Sequence, residues 1–201
     1  MFIAIEGIDG AGKTTVANAL AQKIGLEYSS QKALSAYMCI EDNLYLNYCT
    51  TYRNTVDKDP NSMFMLYGLS CYLSGCKKNV VCDRHLPTVY FWYGTDASYR
   101  ISDVIYSVSS KPDITFILDV NVEIAKQRIL KKYDEKIISK KHAERDFSKA
   151  AFAPSFVSRV EPFLKHFDLA YEIIDTNHKS IDMIVDEILT TISDRGLLFQ
   201  K

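Results

Sequence analysis

The segment that most constrains the fold of this sequence is Gly7-Ile8-Asp9-Gly10-Ala11-Gly12-Lys13-Thr14. It fits the pattern G-x-x-x-x-G-K-[ST], follows an apolar run and precedes a helical pattern. Glycines at this spacing let consecutive backbone N–H groups curl around phosphate oxygens, and the N-terminus of the next helix adds unpaired donors. We therefore predict a phosphate-binding loop between a buried strand over Phe2–Ile5 and a helix over Lys13–Ile24.

The loop residues indicate a bound ATP and Mg²⁺. A lysine at position 13 can reach the β- and γ-phosphates, and a threonine hydroxyl at position 14 can ligate Mg²⁺. Phosphoryl transfer also needs a carboxylate at the end of a neighbouring strand to organise the metal. Asp83 and Asp119 both end predicted strands. We favour Asp83 as the second metal residue, because Arg84 follows it and can hold an anionic acceptor.

Apolar runs alternate with helical patterns along the rest of the chain, which indicates β-α units around a parallel sheet. The 201 residues contain no repeat, linker or low-complexity tract, so we predict one α/β domain over 1–201 with a sheet of about five strands. The strands are expected over 2–5, 26–29, 79–82, 114–120 and 171–174. Helices are expected over 13–24, 60–75, 96–109, 122–132 and 154–167, and from 181 towards the C-terminus.

Composition argues against several kinds of partner. The formal net charge of −1 gives no overall field that would attract nucleic acid or an anionic membrane. No apolar run approaches the roughly 18 residues that span a bilayer. The five cysteines form no Cys-x-x-Cys pair and follow no signal sequence, which favours the reducing cytoplasm. No metal-ligand spacing suggests zinc.

Three segments together resemble the thymidylate kinase family. FIAIEGIDGAGKTT over residues 2–15 is similar to that family's first strand and phosphate loop. VVCDR over residues 80–84 resembles its third strand and Asp-Arg motif, and PDITFILDVNVEIAKQR over residues 112–128 resembles its fourth strand and next helix. The resemblance implies a three-layer P-loop kinase fold and a homodimer. It also implies a kinase that phosphorylates nucleoside monophosphates with ATP and Mg²⁺.

The same resemblance implies roles for individual residues. Asp9 would lie beside the acceptor, Arg84 would contact the acceptor phosphate, and Arg128 would lie near the donor nucleotide. The donor site would comprise the loop, the first turn of the helix and that arginine. Its expected members are Gly7, Asp9, Gly10, Ala11, Gly12, Lys13, Thr14, Thr15 and Arg128.

A basic segment late in the chain is a candidate lid. Residues 126–149 carry nine basic side chains against four acidic ones. Because position 10 is glycine where some family members have arginine, the resemblance implies that a lid over about 131–152 supplies the cation for the transferring phosphoryl group. Arg145 is our preferred catalytic residue there, together with Lys13, Asp9 and Arg84. Lys136, Lys140 and Lys141 are reserves, and a solvated basic surface is the alternative.

The acceptor side departs from the family. The usual Arg-Glu-Pro stretch is missing from 26–36, the Asp-Arg pair of the helix at 60–75 is missing, and Trp-Tyr-Gly at 92–94 replaces Tyr-Gln-Gly. The expected acceptor is therefore thymidylate or a related nucleotide. The acceptor pocket is expected to use aromatic rings for stacking and arginines for the phosphate. Our candidates are Asp9, Arg53, Phe64, Tyr67, Arg84, Trp92 and Tyr93.

Two other functions remain open at the level of sequence. One is a kinase that acts on a deoxynucleoside or another small alcohol, which needs a general base such as Glu6, Asp9 or Asp83. The other is a regulatory module that binds ATP without transferring phosphate. A GTPase would need a guanine-reading Asn-Lys-x-Asp, and the chain has none.

Overall fold

Five parallel strands form one sheet in the order β2-β3-β1-β4-β5. This is a computed structural model, and it describes residues 1–30, 33–39, 41, 44, 47–49, 51–52, 59–135 and 139–197. The strands are β1 (Phe2–Gly7), β2 (Glu27–Ser30), β3 (Val80–Asp83), β4 (Ile114–Asp119) and β5 (Tyr171–Asp175). The expected five-stranded parallel α/β sheet is confirmed.

Helices connect the strands and cover the sheet. Their bounds are α1 (Lys13–Ile24), α2 (Ala33–Tyr37), α3 (Pro60–Gly75), α4 (Leu86–Tyr93), α5 (Asp96–Val108), α6 (Val122–Asp134), α7 (Lys140–Ala150), α8 (Ala153–His166) and α9 (Ile181–Asp194). Among the described residues, no helix is both long and apolar enough to cross a bilayer.

Strand β1 lies at the centre of the sheet, and all six of its residues are buried. Its register brings the carboxyl ends of three strands together, because Ile5 lies opposite Asp83 of β3 and Gly7 lies opposite Leu118 of β4. In open α/β sheets the ligand site lies beyond this edge, where the strand order changes direction. The phosphate loop and Asp83 therefore share one crevice.

Local signals explain the ends of two helices. Gly25 ends α1 in the left-handed conformation, at φ 70°, and its N–H is donated to the carbonyl of Ala21. Asp59 caps α3 by accepting hydrogen bonds from the N–H groups of Asn61 and Ser62, and Pro60 occupies the first helical position. Both features agree with the sequence pattern.

Helix α4 has no counterpart in the sequence-based prediction. Its core is the aromatic run from Tyr90 to Tyr93, which has no helical periodicity because every position is large and apolar. Phe91 is buried in the hydrophobic core, whereas Tyr90, Trp92 and Tyr93 are only partly buried. The helix therefore divides its aromatic rings between one fully buried position and three partly exposed positions packed against the core.

Candidate active site

The phosphate loop closes tightly between β1 and α1. Gly12 precedes the helix at φ 98°, and the N–H of Ala11 is donated to the carbonyl of Ile8 over 3.1 Å. Gly10, at φ 89°, lies against α6. A Cβ at this position would lie 2.6 Å from the carbonyl oxygen of Ala125. A side chain at position 10 would therefore require α6 to move.

Lys13 is the first residue of α1, and its side chain reaches back across the phosphate loop. Its Nζ donates to the carbonyl oxygen of Ile8 over 2.7 Å, and only 4% of the residue is exposed. Burial, together with the nearby Arg84 charge, lowers the pKa of Lys13 to about 8, although Asp9 and two other carboxylates oppose the shift. A charged lysine held here without phosphate is costly to desolvate, so an anionic ligand is favoured.

Thr14 and Asp83 form a pair suited to Mg²⁺. The Thr14 hydroxyl donates to Asp83 Oδ2 over 2.5 Å, and the Tyr28 hydroxyl donates to the same oxygen over 3.3 Å. The other oxygen, Asp83 Oδ1, is buried and has no hydrogen-bond partner among the described residues. A hard cation prefers such oxygen ligands, so these residues fit Mg²⁺. Tyr28 could not be predicted as part of this pair, because its contact with Asp83 depends on the pairing of β2 with β3.

Asp9 joins the loop to two cations from elsewhere in the chain. Its Oδ1 accepts a hydrogen bond from Arg84 and lies 4.0 Å from Lys13 Nζ, while its Oδ2 lies 3.3 Å from Lys149 Nζ. Burial alone would raise the pKa of Asp9. The charges of Arg84, Lys13 and Lys149 outweigh burial and hold this pKa well below its usual range. The carboxylate is therefore ionised at the mouth of the phosphate loop.

Lys149 lies in the predicted lid segment, but it was not one of the residues that we predicted to supply the catalytic cation. It lies near the end of α7, with Nζ 5.1 Å from the centre of the Trp92 ring and a side chain 28% exposed. This combination of an ion pair and a cation–π contact fixes the ammonium group beside the loop. The sequence marked Lys149 only as one of the nine basic residues between 126 and 149.

The two described lid candidates from the sequence, Arg145 and Lys140, form ion pairs with acidic residues of α7 instead of with Asp9. Arg145 donates two hydrogen bonds to Asp146 Oδ1, at 2.8 and 2.9 Å, and 49% of its side chain is exposed. Lys140 lies 4.0 Å from Glu144 on the exposed surface of α7. Lys136 and the side chain of Lys141 lie outside the described residues. Arg145 remains a prediction, because a ligand could draw its guanidinium away from Asp146.

Arg128 braces the back of the phosphate loop. Its guanidinium donates to the carbonyl oxygens of Gly10 and Ala11 at 3.5 and 3.3 Å, and to the hydroxyl and carbonyl of Thr176 at 3.1 and 2.5 Å. The arginine thus links α6, the loop and the segment after β5. Thr15 lies in the first turn of α1 and is exposed.

The aromatic candidates for the acceptor pocket are only partly brought together. The rings of Tyr67 and Tyr93 stack at 5.5 Å with an angle of 14° between their planes. The Trp92 ring meets Phe152 edge-on at 5.8 Å. Phe64 is fully buried in the hydrophobic core. Arg53 lies outside the described residues.

Glu6 is a buried carboxylate next to the loop. It is completely buried and accepts hydrogen bonds from the His85 N–H over 2.8 Å and from the Thr88 hydroxyl. Burial raises the pKa of Glu6 to about 8, although these hydrogen bonds and the charges of Lys13 and Arg84 act in the opposite direction. Both oxygens have partners, so Glu6 is not exposed to a substrate hydroxyl as a general base.

Comparison with known proteins supports the resemblance that the sequence suggested. The chain is 28% identical over 208 aligned positions to the probable thymidylate kinase of Methanococcus maripaludis strain C7, an alignment that covers 96% of both chains. It is 29% identical to the probable thymidylate kinase of Methanocaldococcus jannaschii, with 94% of each chain covered. No family model matches the chain.

Solved structures show the same fold. The deoxyadenosine kinase of M. mycoides with bound dATP superposes with a TM-score of 0.57 at 20% identity, covering 96% of this chain and all of that one. The shikimate kinase of Acinetobacter baumannii in complex with shikimate superposes with a TM-score of 0.60 at 16% identity, covering 98% and 94%. The resemblance to the thymidylate kinase family is therefore confirmed, and the chain is a nucleotide kinase related to those enzymes over nearly its whole length.

Proposed function

We propose that the protein transfers the γ-phosphoryl group of ATP·Mg²⁺ to a nucleoside monophosphate, with thymidylate as the first candidate. The observation that carries this proposal is the convergence on Asp9 of Arg84, which follows β3, and Lys149 of α7, beside the buried Lys13. Three cations at the mouth of a phosphate loop suit a reaction between two anionic phosphates. Such a reaction depends on positioning and charge neutralisation rather than covalent catalysis.

The donor side would hold the triphosphate. Backbone N–H groups of residues 7–14 would bind its oxygens, Lys13 would exchange its contact with the Ile8 carbonyl for the β- and γ-phosphates, and Arg128 would keep the loop in shape. Thr14 and Asp83 would hold Mg²⁺. The metal would supply positive charge that bridges the donor phosphates.

The acceptor side would hold the monophosphate. Arg84 would turn from Asp9 to the acceptor phosphate by paired N–H donors. Lys149, with Arg145 as a second candidate, would neutralise the transferring group when the lid over about 131–152 closes. Asp9 would remain between the two substrates and keep the cations in place.

The base of the acceptor is the least defined part of this proposal. Relatives named as thymidylate kinases make thymidylate the first candidate. The stacked pair Tyr67 and Tyr93, together with Trp92, offers ring faces that suit a nucleobase. A stacking face accepts any base, so the hydrogen-bonding partners in the pocket must provide the selection.

The test is direct turnover. The purified protein is mixed with ATP, Mg²⁺ and each natural ribo- and deoxynucleoside monophosphate, and diphosphate formation is measured. Nucleosides and shikimate form a second panel. We expect turnover of at least one monophosphate and none of the second panel. Turnover only of an alcohol would establish the small-alcohol kinase instead, and ATP binding without any turnover would establish the regulatory module.

We also propose a cytoplasmic homodimer. Helices α3 and α5 cross at Gly68, where a Cβ would lie 2.9 Å from Ile105 Cδ1. Beside this crossing, both helices expose apolar side chains four residues apart, and α3 contains no charged residue. These side chains are Met65, Leu69, Val104 and Val108. A second copy would cover them. Sedimentation should show a dimer that Leu69→Asp converts to a monomer, whereas Met183→Asp should not.

A further inference from the structure

Helix α4 begins without a cap from its own sequence. His85 occupies the N-cap position and makes no side-chain capping hydrogen bond. Pro87, in the first turn, has no N–H to donate. The His85 imidazole is directed elsewhere, with Nε2 3.1 Å from the carbonyl oxygen of Cys71. Helix N-termini need acceptors for their free donors, so another part of the chain must supply one.

Glu6 supplies that acceptor from strand β1. Oε1 accepts the His85 N–H over 2.8 Å, and Oε2 accepts the hydroxyl of Thr88, three residues into the turn. Glu6 is completely buried.

The same contact fixes the backbone on the C-terminal side of Arg84. Arg84 has φ 75°, a left-handed conformation that a residue with a side chain adopts only when its surroundings impose it. Its own N–H is donated to the carbonyl of Ile5 over 3.0 Å, and the next N–H is donated to Glu6. Two consecutive residues of β1 therefore hold the peptide groups on both sides of Arg84.

We infer that Glu6 is a positioning residue. Acting with Thr88, it caps α4 from a neighbouring strand and holds Arg84 in the strained conformation that directs its guanidinium to Asp9 and the acceptor. Its effect on catalysis rests on the proposed role of Arg84 at the acceptor phosphate. Neither Glu6 nor Thr88 touches substrate in this assignment.

The experiment compares Thr88→Val with Thr88→Ser. Valine keeps the shape but removes the hydroxyl that Glu6 binds, whereas serine retains it. We expect Thr88→Val to lower kcat/KM for the monophosphate roughly tenfold through misplacement of Arg84, with KM for ATP changed less than about twofold. Thr88→Ser should restore most of the loss. Equal losses for both substrates, or equal losses for valine and serine, would overturn the inference.

A double-mutant cycle with Arg84→Met separates positioning from general damage. If Thr88 acts through Arg84, Thr88→Val should cost less than about twofold in the Arg84→Met background. A full tenfold loss there would show that Thr88 acts by another route. Glu6→Gln provides a second variant, because its amide can accept from the His85 N–H and donate to Thr88 Oγ, and it should resemble Thr88→Ser.

Crystal structures keep this inference distinct from the proposed function. In Thr88→Val the Arg84 guanidinium should lie more than about 4 Å from Asp9, beyond ion-pair distance, and in Thr88→Ser within it. If the unmutated protein phosphorylates no monophosphate, the proposed function is wrong. The Arg84–Asp9 distance in the two variants then still decides whether Glu6 and Thr88 position Arg84. An unmoved Arg84 in Thr88→Val would overturn the positioning role even if turnover is found.

Discussion

In the proposed assignment, the donor and acceptor sides of the site share Asp9 but are built in different ways. The donor side is local in sequence, since the phosphate loop occupies eight consecutive residues and Lys13 contacts Ile8, five residues away. The acceptor side is assembled over long distances, since Arg84 reaches Asp9 across 75 residues and Lys149 arrives from α7. A short motif can therefore define the donor, whereas only the fold defines the acceptor.

The two sides also differ in how much freedom their residues retain. Lys13 is buried and bonded to the loop, and Gly10 is closed by α6. Trp92, Tyr93 and Tyr67 are partly exposed. In the proposed assignment, triphosphate binding would therefore tolerate little change, whereas the acceptor pocket could be altered by substituting a few rings.

The largest expected effect is the loss of Lys13. Lys13→Ala removes the cation that the loop provides for the β- and γ-phosphates, so we expect kcat/KM to fall by about 10³-fold or more and ATP binding to weaken. Steady-state kinetics and calorimetric titration with ATP measure the two effects. Lys23→Ala removes a lysine from the exposed end of the same helix, where it pairs with Asp186, and is the matched control. A Lys13→Ala protein with normal turnover would contradict the donor assignment.

The lid cation gives the next largest effect and tests the acceptor side. We expect Lys149→Met to lower kcat by about 10²-fold, because one charge-stabilising donor of the transition state is removed. Arg145→Met should cost less than about tenfold, since its guanidinium pairs with Asp146. Both variants keep the length of an unbranched side chain in α7. If Arg145→Met is the more damaging of the two, the lid turns on binding and the sequence-based preference for Arg145 is correct.

The contact between loop and helix at Gly10 predicts a stability effect. Gly10→Ala combines the positive φ with a Cβ 2.6 Å from the Ala125 carbonyl oxygen, so α6 must move. We expect the free energy of unfolding to fall by about 2–3 kcal/mol, measured by urea denaturation. Gly25→Ala has a similar φ of 70° but no neighbour within 4 Å, and should cost about 1 kcal/mol. Equal losses would show that the helix contact is unimportant.

Much of the fold could be predicted because its signals are local. Strands β1, β3 and β4 are short, mostly apolar runs. Gly25 marks the end of α1, and Asp59-Pro60 marks the start of α3. Helix α4 was not predictable in the same way. Its N-terminal acceptor comes from Glu6, 79 residues from His85, and its aromatic run carries no periodicity. Helices stabilised by tertiary contacts leave little trace in their own sequence.

The candidate site shows the same limit. The phosphate-loop motif predicted Lys13 and Thr14, and the Asp-Arg motif predicted Asp83 and Arg84. Both predictions were possible because the residues of each motif are adjacent in sequence. Tyr28 and Lys149 were not singled out. Each is placed by strand pairing or by helix packing rather than by its own spacing. The stacking of Tyr67 on Tyr93 likewise joins α3 to α4.

The last prediction concerns the pH dependence of stability that comes from Glu6, the buried carboxyl whose Oε1 accepts the His85 N–H at the start of α4. In the unfolded chain the pKa of the Glu6 carboxyl is about 4.5. In the folded protein, burial raises this pKa to about 8. Between these values the folded state binds more protons than the unfolded state. The contribution of Glu6 to stability therefore falls as pH rises from about 4.5 to about 8, by at most roughly 1.4 kcal/mol per pH unit.

Glu6→Gln cannot titrate, so the free energy of unfolding of the parent minus that of the variant isolates this effect. Denaturation with urea at pH values from 5 to 9 should show the difference decreasing up to about pH 8 and levelling above it. Other groups cancel, because both proteins contain them. A flat difference would mean that Glu6 ionises normally despite its burial. Glu6 would then be a fully charged cap for α4 at neutral pH. Its support of Arg84 would not change with pH in the neutral range.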